Sequence, residues 1–157
     1  MRTILLSMQP FWAEQIMSGN KIYEYRKKFT KEEVRAYLYV SKPVQEITGI
    51  LTLGRRELLL DWCDIYTDDT EVVQRINEYI SRNNKYAMPV LSYQRTSGIK
   101  LNDIREVFPD FIIPQSYYYL DGLPLLKYVE DKIILKDNIE KHDFSIRDKN
   151  DICKIYI

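Results

Sequence analysis

The segment Gly19-Asn20-Lys21-Ile22-Tyr23-Glu24-Tyr25-Arg26 carries the most chemistry per residue in this chain. Read as a strand over residues 20–28, it sends successive side chains to opposite faces. Ile22, Glu24 and Arg26 then share one side, and Lys21, Tyr23 and Tyr25 the other. Glu24 and Arg26 stand together as a charge-assisted carboxylate–guanidinium pair. Lys21 lies at the glycine-turn end, from which its long side chain reaches either face. Where such a face lines a cleft, the three residues form a cation–carboxylate–cation array suited to a nucleotide. Lys21 and Arg26 hold phosphate or base acceptor atoms, and Glu24 accepts from an amino group. The same alternation also describes an ordinary exposed ion pair on a sheet, and strand periodicity alone favours that plainer reading.

Few other residues offer a reactive constellation. Cys63 and Cys153 are far apart in sequence, and His142 is the single histidine. Zinc takes three or four clustered ligands, so no metal site and no cofactor are expected. His142 sits in Glu140-Lys141-His142-Asp143, which reads as a solvated surface rather than part of a Ser–His–Asp triad. Twenty-three Lys and Arg balance twenty-three Asp and Glu, so no global positive field draws in nucleic acid. The charges are nonetheless segregated. Arg26, Lys27, Lys28, Lys31 and Arg35 make one stretch basic against Glu32 and Glu33, while Asp61, Asp64, Asp68 and Asp69 make another acidic. A basic rim beside some of the thirteen tyrosines is compatible with stacking on unpaired bases. Trp12, Tyr23 and Tyr118 are candidate stacking surfaces that would serve equally as core.

The elements that must position these groups follow from apolar periodicity. Thr3 to Met8 reads as a strand. Pro10 stands where a first helical residue is favoured, and the apolar spacing predicts a helix over 10–18 closed by Gly19. Strands are expected over 34–40 and 46–53, separated by Ser41-Lys42-Pro43. Thr70 is placed to cap a helix whose stripe is Val72, Val73, Ile76, Tyr79 and Ile80. Residues 86–92 and 99–101 read as two extended pieces, followed by a short helix ending before Pro109. Pro114 opens an aromatic run that suits a strand or a helical turn. The last part, 124–157, reads as extra strands, with Ile133-Ile134-Leu135 paired to Cys153-Lys154-Ile155-Tyr156-Ile157. A chain of 157 residues and 18.8 kDa fits one α+β domain on a small curved sheet or barrel, with 124–157 as an extension. No apolar run approaches the ~18 residues of a membrane span, and the N-terminal residues turn polar too soon for a secretory signal. With no disulfide spacing, a cytoplasmic location is expected.

Two motifs add a resemblance. The opening Ile4-Leu5-Leu6-Ser7-Met8-Gln9-Pro10, the helix after it and Gly19 to Arg26 resemble the ASCH family of the PUA-like superfamily. That family's Gly-x-Lys-x-x-Glu-x-Arg pattern is met at Gly19, Lys21, Glu24 and Arg26. Pro114-Gln115-Ser116-Tyr117-Tyr118-Tyr119-Leu120 is similar to the Pro-Gln-Ser-aromatic segment of one bacterial and phage branch, as Tyr86-Ala87-Met88 is to that branch's preceding strand. The likeness spans about residues 1–122. It implies a small PUA-like β-barrel with flanking helices and a cleft where Lys21, Glu24 and Arg26 gather. Ser7, Gln115 and Ser116 would approach it from other segments.

The superfamily's association with RNA and modified nucleosides makes a binding module the first functional expectation, with RNA or a nucleotide-like small molecule as partner. The second is a hydrolase in which Lys21 and Glu24 are catalytic. The resemblance extends to ribonucleases, where Lys21 would stabilise a pentavalent phosphate and Glu24 act as general base. It extends also to an amidohydrolase acting on acetylcytidine, but the threonine nucleophile of that set falls on Glu24 here, and a carboxylate would change the acyl intermediate to an anhydride. A regulatory protein-binding domain with a vestigial cleft is the third expectation.

Overall fold

The computed structural model describes residues 1–156 and begins with strand β1 (Arg2–Met8), in which Ile4, Leu5 and Leu6 are fully buried. Burial of consecutive residues, and so of both faces, marks a central strand. Pro10 occupies the first turn of helix α1 (Pro10–Met17), and Gly19, at φ +80°, takes the chain out of it. Strand β2 (Tyr23–Arg26) follows, then β3 (Val34–Val40) and β4 (Glu46–Leu53), the last two with the bounds their apolar patterns predict.

A two-residue strand, β5 (Glu57–Leu58), leads into helices α2 (Leu59–Ile65) and α3 (Thr70–Ser81). Asp69, not Thr70, caps α3: its carboxylate accepts from the Val72 amide at 3.2 Å. Strand β6 (Tyr86–Lys100) is one unbroken run of 15 residues where the sequence reads as two pieces. Its middle, Gln94 to Gly98, has no apolar alternation. β4 pairs with Gln94 and Arg95 and again from Ile99, with a register shift between, and across that shift Thr96 bridges Leu135 and the Ser97 amide donates to the Ile134 carbonyl. Helix α4 (Leu101–Val107) ends before Pro109 as expected, and the aromatic run resolves into strand β7 (Tyr117–Tyr119).

The C-terminal part departs from the sequence expectation. Residues 124–132 form helix α5 (Pro124–Lys132), with Pro124 in the first turn and Leu125 and Val129 buried one helical turn apart. The expected pairing of 133–135 with 153–157 is not made among the described residues; Leu135 instead bridges Thr96, and Ile157 lies outside them. Ile152 and Cys153 are fully buried in a cluster with Tyr25, Trp62, Val72 and Ile76, so their apolar character seals a helix–sheet contact rather than a strand ladder. Between these lie strand β8 (Glu140–Lys141), paired with β6, and a short 3₁₀ turn over Lys149–Asp151.

The strands lie in the order β2-β6-β4-β3-β1-β7, with β5 and β8 also paired to β6. β1 and β3 are parallel, and the crossover between them contains α1 and β2; the remaining neighbours are antiparallel. The sheet curls into a half-barrel whose end strands β2 and β7 do not pair, flanked by five α-helices among the described residues: an α+β fold. One apolar cluster fills the inside against α1, and a second lies under α4 and α5. Among the described residues no helix is long and apolar enough to cross a membrane.

Candidate functional site

The crossover from α1 to β2 brings the charged residues together. After Gly19 the Lys21 amide donates to the Gln15 carbonyl at 2.9 Å, folding the chain back against α1 before the ladder begins at Tyr23. Lys21 therefore precedes the pleat and does not obey its alternation. Its side chain joins Glu24, with Nζ 2.6 Å from Oε1. The Tyr25 amide donates to the same oxygen at 3.0 Å, and Arg26 Nη2 donates to Oε2 at 3.1 Å. The array is thus a carboxylate bridging two cations, and it is no surface feature: Lys21 is 5% and Glu24 4% exposed.

Arg26 extends the array to two other segments. Its Nη2 donates to the Ser7 carbonyl at 2.9 Å and its Nη1 to Ser116 Oγ at 3.3 Å. Ser7 in turn donates from its amide to the Ser116 carbonyl and from its hydroxyl to the Pro114 carbonyl, at 2.9 and 2.6 Å. The end of β1, the loop before β7 and the edge of β2 are tied at one guanidinium. Burial alone would push the Glu24 carboxyl up. The Lys21 ammonium, then the Arg26 guanidinium, outweigh it together with the hydrogen bonds from Lys21 and the Tyr25 amide, and hold Glu24 at about 2.

Above the array opens a cavity of about 550 Å³. Trp12, Tyr25 and Tyr79 give it aromatic walls, Ser7, Gln9 and Gln115 a polar side, and Arg82 and Asn84 approach from the end of α3. Lys21 Nζ lies 4.8 Å from the Trp12 ring centroid and 5.9 Å from that of Tyr25. An ammonium has three donors, and the Lys21 hydrogen bonds use one of them, on Glu24. Lys21, Glu24 and Arg26 leave one net positive charge at the floor. The arrangement suits an acceptor-rich or anionic group beside a flat ring. Among the described residues no group of three His, Cys, Asp or Glu is placed to hold a metal ion.

This half-barrel has counterparts among solved structures. The ASCH protein of Zymomonas mobilis matches with a TM-score of 0.62 at 22% identity, over 82% of this chain and 94% of that one. Serine-to-alanine and tyrosine-to-phenylalanine variants of that protein give 0.62 and 0.61, at 23% and 22% identity, over 82% and 83% of this chain. The chain has the ASCH fold. No protein-family model and no curated protein matches the sequence.

Within this ASCH fold the residues singled out in sequence are distributed unevenly. Lys21, Glu24 and Arg26 meet at the floor, Ser7 and Gln115 line the same space, and Ser116 reaches it only through Arg26. Of the three stacking candidates Trp12 faces the cavity. Tyr23 is buried against Trp62, with ring centroids 5.1 Å apart, and Tyr118 packs in the second core cluster and donates to the Ile112 carbonyl. His142 is half-buried, contrary to its solvated look. The pairing of β8 with β6 draws it onto the sheet, where its ring meets Tyr93 at 5.5 Å and burial pushes the imidazole down. Sequence reasoning missed Tyr79 and Arg82. Tyr79 reads as one more apolar position of the α3 stripe, and Arg82 as an ordinary helix-end charge.

Proposed function

We propose that the cavity binds RNA or a modified nucleotide, with Lys21 and Arg26 holding acceptor or phosphate oxygens and Trp12 stacking on the base. The observation that carries this reading is a buried Lys21–Glu24–Arg26 array flooring a space of about 550 Å³ with an indole at its side. Ligand sites commonly occupy about 300–1,000 Å³ and combine apolar walls with a few placed polar groups. A buried floor with excess positive charge favours a ligand that supplies acceptors, since a buried charge is costly without partners. Glu24 fixes the two cations and offers its one remaining lone pair, on Oε2, to an amino group. The location that goes with this reading is the cytoplasm.

Binding is favoured over hydrolysis by Lys21 and Glu24. A general base works best with a pKa near the operating pH, and Glu24 at about 2 is far below it. A ribonuclease or nucleoside amidohydrolase built on this cavity would need its base elsewhere.

Titration of the full chain with cytidine monophosphate, acetylcytidine and short single-stranded RNA tests the reading, followed by calorimetry and tryptophan emission. The expected result is binding that weakens with salt by a slope reflecting only a few phosphates. The emission change should be lost in Trp12→Phe, and affinity should fall at least about tenfold in Lys21→Met, as one charge-assisted contact is worth. Absence of binding to all three probes overturns it.

A further inference from the structure

The C-terminal segment 149–156 forms a strap that runs beside the same site. Its backbone is held by side chains of β2 and α3: Arg75 donates to the carbonyls of Lys149 and Ile152, at 2.6 and 3.2 Å, and Tyr79 to that of Lys154. The Cys153 amide donates to the Tyr25 hydroxyl at 2.9 Å, and Lys154 Nζ donates to the carbonyl and side-chain oxygens of Asn20, at 3.1 and 2.7 Å. Tyr25 and Tyr79 therefore do two things at once, walling the cavity and clamping the strap. Asn20 is the neighbour of Lys21.

Beyond this clamp the strap delivers one more ring. Tyr156 lies edge-on to Trp12, with centroids 5.1 Å apart and planes at 87°, and edge-on to Phe11 at 6.4 Å and 89°. Edge-to-face contact at these distances is a favoured aromatic geometry. Tyr156 is half-buried, and burial, then Tyr79, Asp151 and Glu24, push its phenol up. Sealing the core does not require this residue, because Ile152 and Cys153 already do so four and three positions earlier.

We propose that Tyr156 is a positioning residue of the cavity: docked by the strap, its ring holds the Trp12 indole at a fixed angle and so sets the wall on which a flat ligand stacks. The part concerning a ligand rests on the nucleotide-binding reading; the part concerning Trp12 does not.

Three full-length variants test it, Tyr156→Ala, Tyr156→Leu and Tyr156→Phe, with Leu keeping apolar bulk should Ala fail to fold. Without ligand, acrylamide quenching reports the exposure of Trp12, since Trp62 is fully buried. Quenching should rise severalfold in the ring-less variants and return to the parent value in Tyr156→Phe. With cytidine monophosphate as probe, the ring-less variants should bind about tenfold more weakly, the scale of one lost stacking contact, and Tyr156→Phe within about twofold of the parent. Parent-like quenching in Tyr156→Leu overturns the proposal. So does raised quenching that Tyr156→Phe fails to rescue. If the parent binds no nucleotide, the nucleotide reading falls, and the quenching comparison alone decides the role of Tyr156.

Discussion

Lys21–Glu24 at the cavity floor and Lys127–Asp131 on α5 are made of the same two groups, one helical-turn spacing apart in sequence, with ammonium–carboxylate distances of 2.6 and 3.1 Å. Their side chains are 6% and 5% exposed in the first pair, 82% and 63% in the second. The Lys127 pair is screened by water and competes with solvation at every moment. The Lys21 pair has given up its water and depends on partners: the carboxylate needs both cations and the Tyr25 amide, and the cations need the carboxylate. Proximity in sequence and distance in space are nearly the same, so the surroundings decide what each pair is worth.

The sharpest way to break this comparison is to remove the shared anion. Glu24→Ala leaves a buried ammonium and a half-buried guanidinium facing each other, and should cost about 3–5 kcal/mol in urea unfolding. A loss below about 1 kcal/mol would mean that water reaches the array and the contrast with α5 is false. Acid titrates the same contrast more gently. Glu24 stands at about 2 in the folded chain against 4.5 in its ordinary state, so its stabilisation is present above about pH 4.5 and disappears as pH falls through about 2. The amount at stake is on the order of 3 kcal/mol. Unfolding midpoints followed from about pH 6 to about pH 3 should fall less steeply in Glu24→Gln than in the parent, and parallel curves would count against it. The smallest effect belongs to α5: Lys127→Ala should leave the urea midpoint where it is, and a clear shift there would show that exposed pairs in this chain carry more than their setting allows.

How much of this was legible without coordinates depends on how far each feature reaches. Val34–Val40 and Glu46–Leu53 could be read directly, since each is a short apolar run bounded by turn residues. The floor trio could be singled out because it lies within one stretch of eight residues. Its burial could not, because the cavity around Glu24 is built from segments distant in sequence, including residues of α3. The long β6 was hidden for a similar reason: Gln94 to Gly98 is polar, and its extended partners, β4 and Ile134-Leu135, are distant in sequence. Helix α5 was obscured by the apolar triplet Ile133-Ile134-Leu135, which drew attention to strands while Leu125 and Val129 already sat one turn apart. Arg82 and Asn84 reach the cavity through the path of α3 and the turn after it, which no local pattern encodes.

The bond from the Tyr25 amide to Glu24 Oε1 has a further consequence, because β2 is the terminal strand of the sheet. The Ile22 and Arg26 carbonyls point inward, accepting from Val90 and Lys85, so by alternation the Tyr25 amide points away from β6, on a rim that is itself buried. A buried amide with no ladder partner is costly unless another group accepts from it. Here the neighbouring carboxylate accepts from it, so the residue that anchors two cations also completes the backbone hydrogen bonding that the end of the sheet leaves open.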